Sequence, residues 1–253
     1  VDERLLDALC DAGLTVLEEV PVYQLFLGQV TDRALIAEAA AQLGAMIERD
    51  KNDPHILSWS IGNEFGNYLP GSDALTRGLA DEARRLDPSR PVTAVINNVS
   101  AITHVDFALG PVDIIGLNQY YGWYLGDVDQ AGRALDVVHG LYPTKPIVAT
   151  EFGADALAGR VAGRLGREPN DDHSYGEGWQ AWYLERQYAQ LLSRPYLSGT
   201  MPWVLADFRY EWSPNPGQPH PVDGMNLKGL VTRDRRTRKA SFDVVARTYA
   251  NRP

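Results

Sequence analysis

The sequence predicts an α/β protein, a (β/α)8 TIM barrel, from two features. Short apolar runs alternate with helical patterns along the 253 residues, and run after run closes on amides, carboxylates or aromatics. Alternation of strand and helix means a parallel sheet. Apolar character that is continuous rather than alternating suits parallel strands covered on both faces. In a barrel of this kind the polar strand ends form the active face.

Six runs read as buried strands: 14–20 (LTVLEEV), 56–64 (ILSWSIGNE), 91–96 (PVTAVI), 112–121 (VDIIGLNQYY), 146–153 (PIVATEFG) and 199–208 (GTMPWVLADF). Helical patterns cover 32–50, 72–88, 129–142, 177–193 and 238–250, with Ser72 a plausible N-cap and Pro88 a stop. The polar ends are Glu18 and Glu19, Asn63 and Glu64, Asn97 and Asn98, Asn118 through Tyr121, Glu151, and Asp207. With no repeat, low-complexity tract or linker, residues 1–253 read as one domain. Two irregular stretches after strands, 155–176 and 209–225, are where a barrel keeps functional loops.

A net charge of −9 excludes a dominant basic face and so argues against a nucleic-acid partner. The densest basic run, Arg233 to Lys239, reads as a solvated helix start. No apolar run approaches the ~18 residues of a membrane span, so no membrane partner is expected. The single cysteine, Cys10, rules out an intramolecular disulfide, and its apolar neighbours suggest core packing. The five histidines (55, 104, 139, 173 and 220) show no ligand spacing, so no metal is expected.

Glu64 and Glu151 each follow a long apolar run directly. Either alone would more simply cap a helix or meet a surface lysine; together, at the rim of one barrel, they suit the two-carboxylate apparatus of glycoside hydrolysis. Two unit charges ~5 Å apart at an effective dielectric of ~20 repel by roughly 3 kcal/mol, about 2 pKa units. Mutual repulsion is therefore expected to keep one of them protonated.

The motifs resemble glycoside hydrolase family 2, and within it the β-glucuronidases. The segment DPHILSWSIGNE is similar to the family's acid/base signature, which implies Glu64 as acid/base and Asn63 as the residue binding the sugar 2-hydroxyl. IVATEFGAD resembles the nucleophile strand and implies Glu151 as nucleophile. LNQYYGWY resembles the segment whose tyrosines orient the nucleophile and border the sugar, here Tyr120 and Tyr124. PWVLADF is similar to the last barrel strand, with Trp203 walling the sugar site, while LDPSRPVT and KGLVTRDRRTRKASF resemble non-catalytic segments. Asn226 and Lys228, in MNLKG, resemble the Asn-x-Lys pair that binds a uronic acid carboxylate. An ammonium and an amide suit that carboxylate, which a neutral galactose lacks. The family often carries an arginine shortly before this asparagine; here Val222 stands in its place, with Arg209 as a substitute to consider.

The resemblance implies a retaining exo-β-glucuronidase acting on small-molecule or oligosaccharide glucuronides, without cofactor or metal. A β-galacturonidase or β-galactosidase of the same family, or a catalytically silent carbohydrate-binding barrel, stays open. So does a homo-oligomer; compartment and aglycone are not legible. In family terms the runs correspond to strands three to eight. The chain also starts without Met inside a helical pattern (Leu5, Leu6, Leu9, Cys10). The expectation is an N-terminally truncated barrel, part of a larger glycosidase, that would aggregate or lack activity if made alone.

Overall fold

The computed structural model describes residues 2–98, 102–103, 108–160, 175–210 and 224–251. Most of the two irregular stretches, with Val222, His104, His173 and His220, lies outside them.

Six strands form one sheet in consecutive order: β1 (Val16–Glu19), β2 (Ile56–Asn63), β3 (Val92–Ile96), β4 (Ile114–Asn118), β5 (Ile147–Glu151) and β6 (Leu197–Thr200). The pairs β1–β2, β2–β3 and β3–β4 are parallel, as the continuous apolar runs require. Two short strands, β7 (Phe208–Arg209) and β8 (Met225–Asn226), pair antiparallel with Phe208 opposite Asn226. Among the described residues the α-helices include α1 (Glu3–Asp11), α2 (Arg33–Asp50), α3 (Ser72–Leu86), α4 (Ala131–Leu141), α5 (Glu177–Leu192) and α6 (Ala240–Ala250). The chain packs as two compact units, Val1–Asn118 with Val137–Val148, and Gln119–Asp136 with Ala149–Pro253.

In the first unit, α2 begins where the Asp32 carboxylate accepts from the Ala34 and Leu35 amides, and it buries Ala39, Leu43 and Ile47 at four-residue spacing. Ser72 is not the cap of α3: Gly71 is. Ser72 is the first helical residue, buried, and its hydroxyl donates to the Asn67 carbonyl at 3.0 Å. Glu18, expected at the polar rim, is wholly buried with its carboxylate on Arg49 at 3.0 Å, because alternation along β1 sends it and Glu19 to opposite faces.

The LDPSRPVT segment ties α3 to β2 and β3. Arg90 donates to the carbonyls of Lys51, Asp53 and Ile56 and to the Asp87 carboxylate at 2.7 Å, lies over the Trp59 ring, and the Trp59 indole donates to the same carboxylate at 3.0 Å. Burial works to raise Asp87, but hydrogen bonds from Ser89, Arg90 and Trp59 outweigh it and bring the carboxyl down to about 2.

In the second unit α5 buries Trp179, Tyr183, Leu184, Tyr188 and Leu191, and two glutamines among them are fully used. Gln180 donates to the Ala154 carbonyl and accepts from Ser241 at the start of α6; Gln187 accepts from Gln119 and donates to the Tyr121 carbonyl. The basic run divides at its last residue. Arg233 to Arg238 are exposed as expected, but Lys239 is buried, with its ammonium on the Asp207 carboxylate at 2.7 Å and on the Ala156 and Leu227 carbonyls at 2.8 Å. Asp207 also accepts from the Gly229 amide, so this expected rim carboxylate is a structural one.

The last strand is shorter than its apolar run. After Thr200 the backbone changes partners: Met201 donates to Ala149, Trp203 to Phe152, Val204 to Lys228 and Asp207 to Val231. The Trp203–Val204 peptide is cis.

Arg90→Ala would leave Asp87 buried without its cation. It is expected to cost about 3–5 kcal/mol, read as a fall in the urea midpoint. The Asp87 carboxyl lies below its unfolded value of about 3.9, so its contribution is complete above that pH and fades as pH falls towards about 2. Acid unfolding of Asp87→Asn should therefore lose part of that pH dependence.

Candidate active site

In the first unit the sequence SIGNE makes a sharp exit from β2. Gly62 has φ 152°, and a Cβ there would sit 2.7 Å from the Val22 carbonyl, so glycine is required. Asn63 donates its amide to that carbonyl at 2.8 Å, and the Glu64 amide reaches Val95 at 2.9 Å. Glu64 itself holds φ 50°, a conformation costly for a residue with a side chain and of a kind that clusters at functional sites. Asn118, the last residue of β4, donates one amide to both Asn63 Oδ1 (2.8 Å) and Glu64 Oε1 (3.1 Å).

The half-buried Glu64 carboxyl is pushed up by lost hydration, with the Asn118 hydrogen bond opposing. Burial, rather than the expected repulsion from a second catalytic carboxylate, is thus the main cause of its raised value. Glu19 is near enough for its own carboxyl, raised chiefly by burial and held by the Ser60 hydroxyl at 2.7 Å, to feel the Glu64 charge.

In the second unit Glu151 ends β5. The Gln119 amide donates to the Glu151 carbonyl at 2.8 Å, which sets Tyr120 beside it, and the Tyr120 phenol donates to Glu151 Oε2 at 2.6 Å. Gly153 follows, where a Cβ would lie 2.2 Å from the Trp203 carbonyl; the Trp203 amide binds the Phe152 carbonyl. Trp203 is half-buried, edge-on to Phe208 at 5.9 Å.

Asn226 is buried, and its Oδ1 accepts from the Lys228 amide at 3.1 Å, which folds Asn-x-Lys into a closed turn. The Lys228 side chain is 0% exposed. Its ammonium donates to the Tyr124 hydroxyl at 2.8 Å and to Asp155 Oδ1 at 3.2 Å, with the Tyr124, Trp123 and Tyr120 rings 4.9, 5.2 and 5.9 Å away. Tyr120 and Tyr124 themselves stack at 5.0 Å. Arg209, on β7 opposite Met225, is exposed.

The structure thus groups Asn63, Glu64 and Asn118 in one unit, and Tyr120, Glu151, Tyr124, Asn226 and Lys228, with Trp203 bonded through its amide to the carbonyl of Phe152 next to Glu151, in the other. Sequence reasoning placed Asn118 only among the polar strand ends and gave no role to Trp123 or Asp155. Asp155 stands inside the quoted IVATEFGAD, and a carboxylate four residues after the strand-ending Glu was the available signal.

One further cluster was not foreseen. Cys10, Asp53 and His55, all half-buried, bring ligand-type atoms within 4.8 Å of one another. Hydrogen bonds account for the grouping: Asp53 Oδ1 lies 2.8 Å from the His55 amide and 3.1 Å from its Nδ1, and the Cys10 thiol is 3.8 Å off. Burial and then the Asp53 charge push that thiol up, away from the thiolate a metal would need. Cys10 is accordingly not the core residue its neighbours suggested.

The family model described as glycosyl hydrolases family 2, TIM barrel domain, matches residues 2–251, and the chain belongs to that family. It is 32% identical over 242 residues to a β-glucuronidase of Chlorocebus aethiops, covering 92% of this chain and 35% of that protein. It thus spans about a third of the length of the curated relatives it matches. A Bifidobacterium dentium β-glucuronidase, solved with coumarin-3-O-glucuronide, superposes with a TM-score of 0.82 at 29% identity, over 99% of this chain and 39% of that one. A β-galacturonidase from Eisenbergiella tayi bound to galacturonate also has a TM-score of 0.82, over 100% of this chain and 43% of its own, but at 24% identity the likeness speaks to fold alone. No helix among the described residues is long and apolar enough to cross a membrane.

Removing the Asn118 amide takes away a bond that favours ionised Glu64. Asn118→Ala should therefore raise the Glu64 carboxyl further, read as an upward move of its carboxyl carbon titration; a downward move would show that burial is not in control.

Proposed function

We propose that this chain carries the catalytic carboxyls of a retaining exo-β-glucuronidase. The observation that supports the reading best is the contrast between them. Glu64 is held by dehydration towards its neutral form, as a proton donor must be. Glu151 accepts a short phenol hydrogen bond, which favours its charged form, as a nucleophile requires.

On this reading Glu151 attacks the anomeric carbon while Glu64 protonates the departing aglycone oxygen. Glu64, now ionised, then takes a proton from water, and that water releases glucuronic acid from Glu151. Tyr120 aims the nucleophile, Asn63 meets the 2-hydroxyl, Trp203 walls the sugar, and Asn226 with Lys228 and Tyr124 receives the C6 carboxylate. The mechanism requires both carboxyls to flank one glycosidic bond, about 5–5.5 Å apart in a retaining enzyme.

The test uses the complete protein that contains this chain. A 2-fluoro glucuronide should label Glu151, and the first product seen by NMR should be the β-anomer; an α-anomer or a label elsewhere would sink the mechanism. Comparing p-nitrophenyl glucuronide, galacturonide and galactoside decides the sugar, and Lys228→Ala should remove the preference for an acidic one.

Glu64→Gln should lower turnover by about 10²–10⁴-fold and abolish the alkaline limb of the rate profile, since wild-type activity falls as pH rises through the raised Glu64 value. Tyr120→Phe removes a bond to a charged group worth about 1.5–3 kcal/mol. It should shift the acid limb to higher pH and slow turnover by about tenfold or more.

A further inference from the structure

The Lys228 ammonium lies out of contact with water, which is a costly place for a charge unless another group secures it. Asp155, also 0% exposed, is that group. The same oxygen, Oδ1, accepts from the ammonium at 3.2 Å and from the Leu227 amide at 3.1 Å, so one atom fixes both the end of the side chain and the turn that bears it. The ammonium has only hydrogens to give, so at 2.8 Å the Tyr124 hydroxyl must accept. The phenol proton is then turned away from Lys228, on a ring that is 36% exposed. Asp155, Lys228 and Tyr124 form one polarised row that ends in a hydroxyl donor.

Among the described residues, the titratable groups acting on Lys228 are Asp155 and Tyr124, with the Tyr120 and Trp123 rings also facing it. Burial alone would pull the ammonium down; Asp155, then Tyr124, more than offset it and hold it above its ordinary value.

We propose that Asp155 is a positioning residue for sugar recognition: it keeps Lys228 charged and aimed, and through it orients the Tyr124 hydroxyl, so that preference for an acidic sugar depends on a carboxylate that never meets the substrate. The proposal rests on the glucuronidase reading above and goes one step beyond it.

The test is kcat/KM of the full-length enzyme on p-nitrophenyl β-glucuronide and p-nitrophenyl β-glucoside across pH. Asp155→Asn should lower the glucuronide-to-glucoside ratio at least about tenfold, mainly through the glucuronide KM. It should also make that ratio fall further as pH rises, because the buried ammonium then gives up its proton more easily, whereas the Glu64 limb is common to both sugars and cancels in the ratio. Asp155→Glu keeps the charge but displaces the oxygen; its ratio should fall without that added dependence on pH. If Asp155→Asn does not fold, the Glu variant carries the test through its ratio.

A loss shared equally by both sugars would mean that Asp155 only supports the fold, and an unchanged ratio would mean that Lys228 needs no guide. Either overturns the proposal. A wild-type enzyme without glucuronide preference, or Lys228→Met that retains it, refutes the glucuronidase reading instead and takes the Asp155 role with it.

Discussion

Taking charge out of water costs several kcal/mol per ion unless a partner waits inside, and that constraint organises this protein. Asp87 is held by Arg90 and Trp59, Lys239 by Asp207 and two carbonyls, and Lys228 by Asp155 and a phenol. Each buried ion joins stretches distant in sequence, so each sets register where apolar contacts alone would tolerate sliding. Glu64 is the contrasting case. Its side-chain bond from a neutral amide only partly opposes the lost hydration, and burial favours its acid form.

This changes the account of the proposed acid/base carboxyl. Repulsion from a second carboxylate is not needed for it. Dehydration by the surrounding strand ends is built into the fold. The strained backbone at Glu64 and the tight passage at Gly62 belong to the same arrangement, because they turn the chain out of β2 while the side chain is still inside. Tyr120 does the opposite service for Glu151, and one β-bridge-like hydrogen bond, from Gln119 to the Glu151 carbonyl, places it.

Much of the architecture was readable because it rests on local pattern. The helix over 32–50 and the strand over 56–64 both appeared within a residue or two of their expected bounds, since apolar spacing, an N-cap carboxylate and a following turn act over a few residues. Errors fell where a partner outside the local helix or strand pattern decided. Ser72 looked like a cap, but the Asn67 carbonyl claimed its hydroxyl. The run over 199–208 looked like one strand, but its donors pass from the β5 side to the turn around Lys228 and then to Val231. Lys239 looked solvated, yet three buried acceptors converge on it.

The candidate site divides along the same line. Strand-end position singled out Glu64 and Glu151, because a carboxylate following a long apolar run must open onto something polar, and the motif around each could be matched to a family without coordinates. Which way each side chain points, and what holds its proton, depends on residues tens of positions away: Asn118 for Glu64, Tyr120 for Glu151, Asp155 and Tyr124 for Lys228. Residue type and spacing choose the chemistry a position can perform. Protonation and aim are set by hydration and by convergent hydrogen bonds, and those exist only once the chain has folded back on itself.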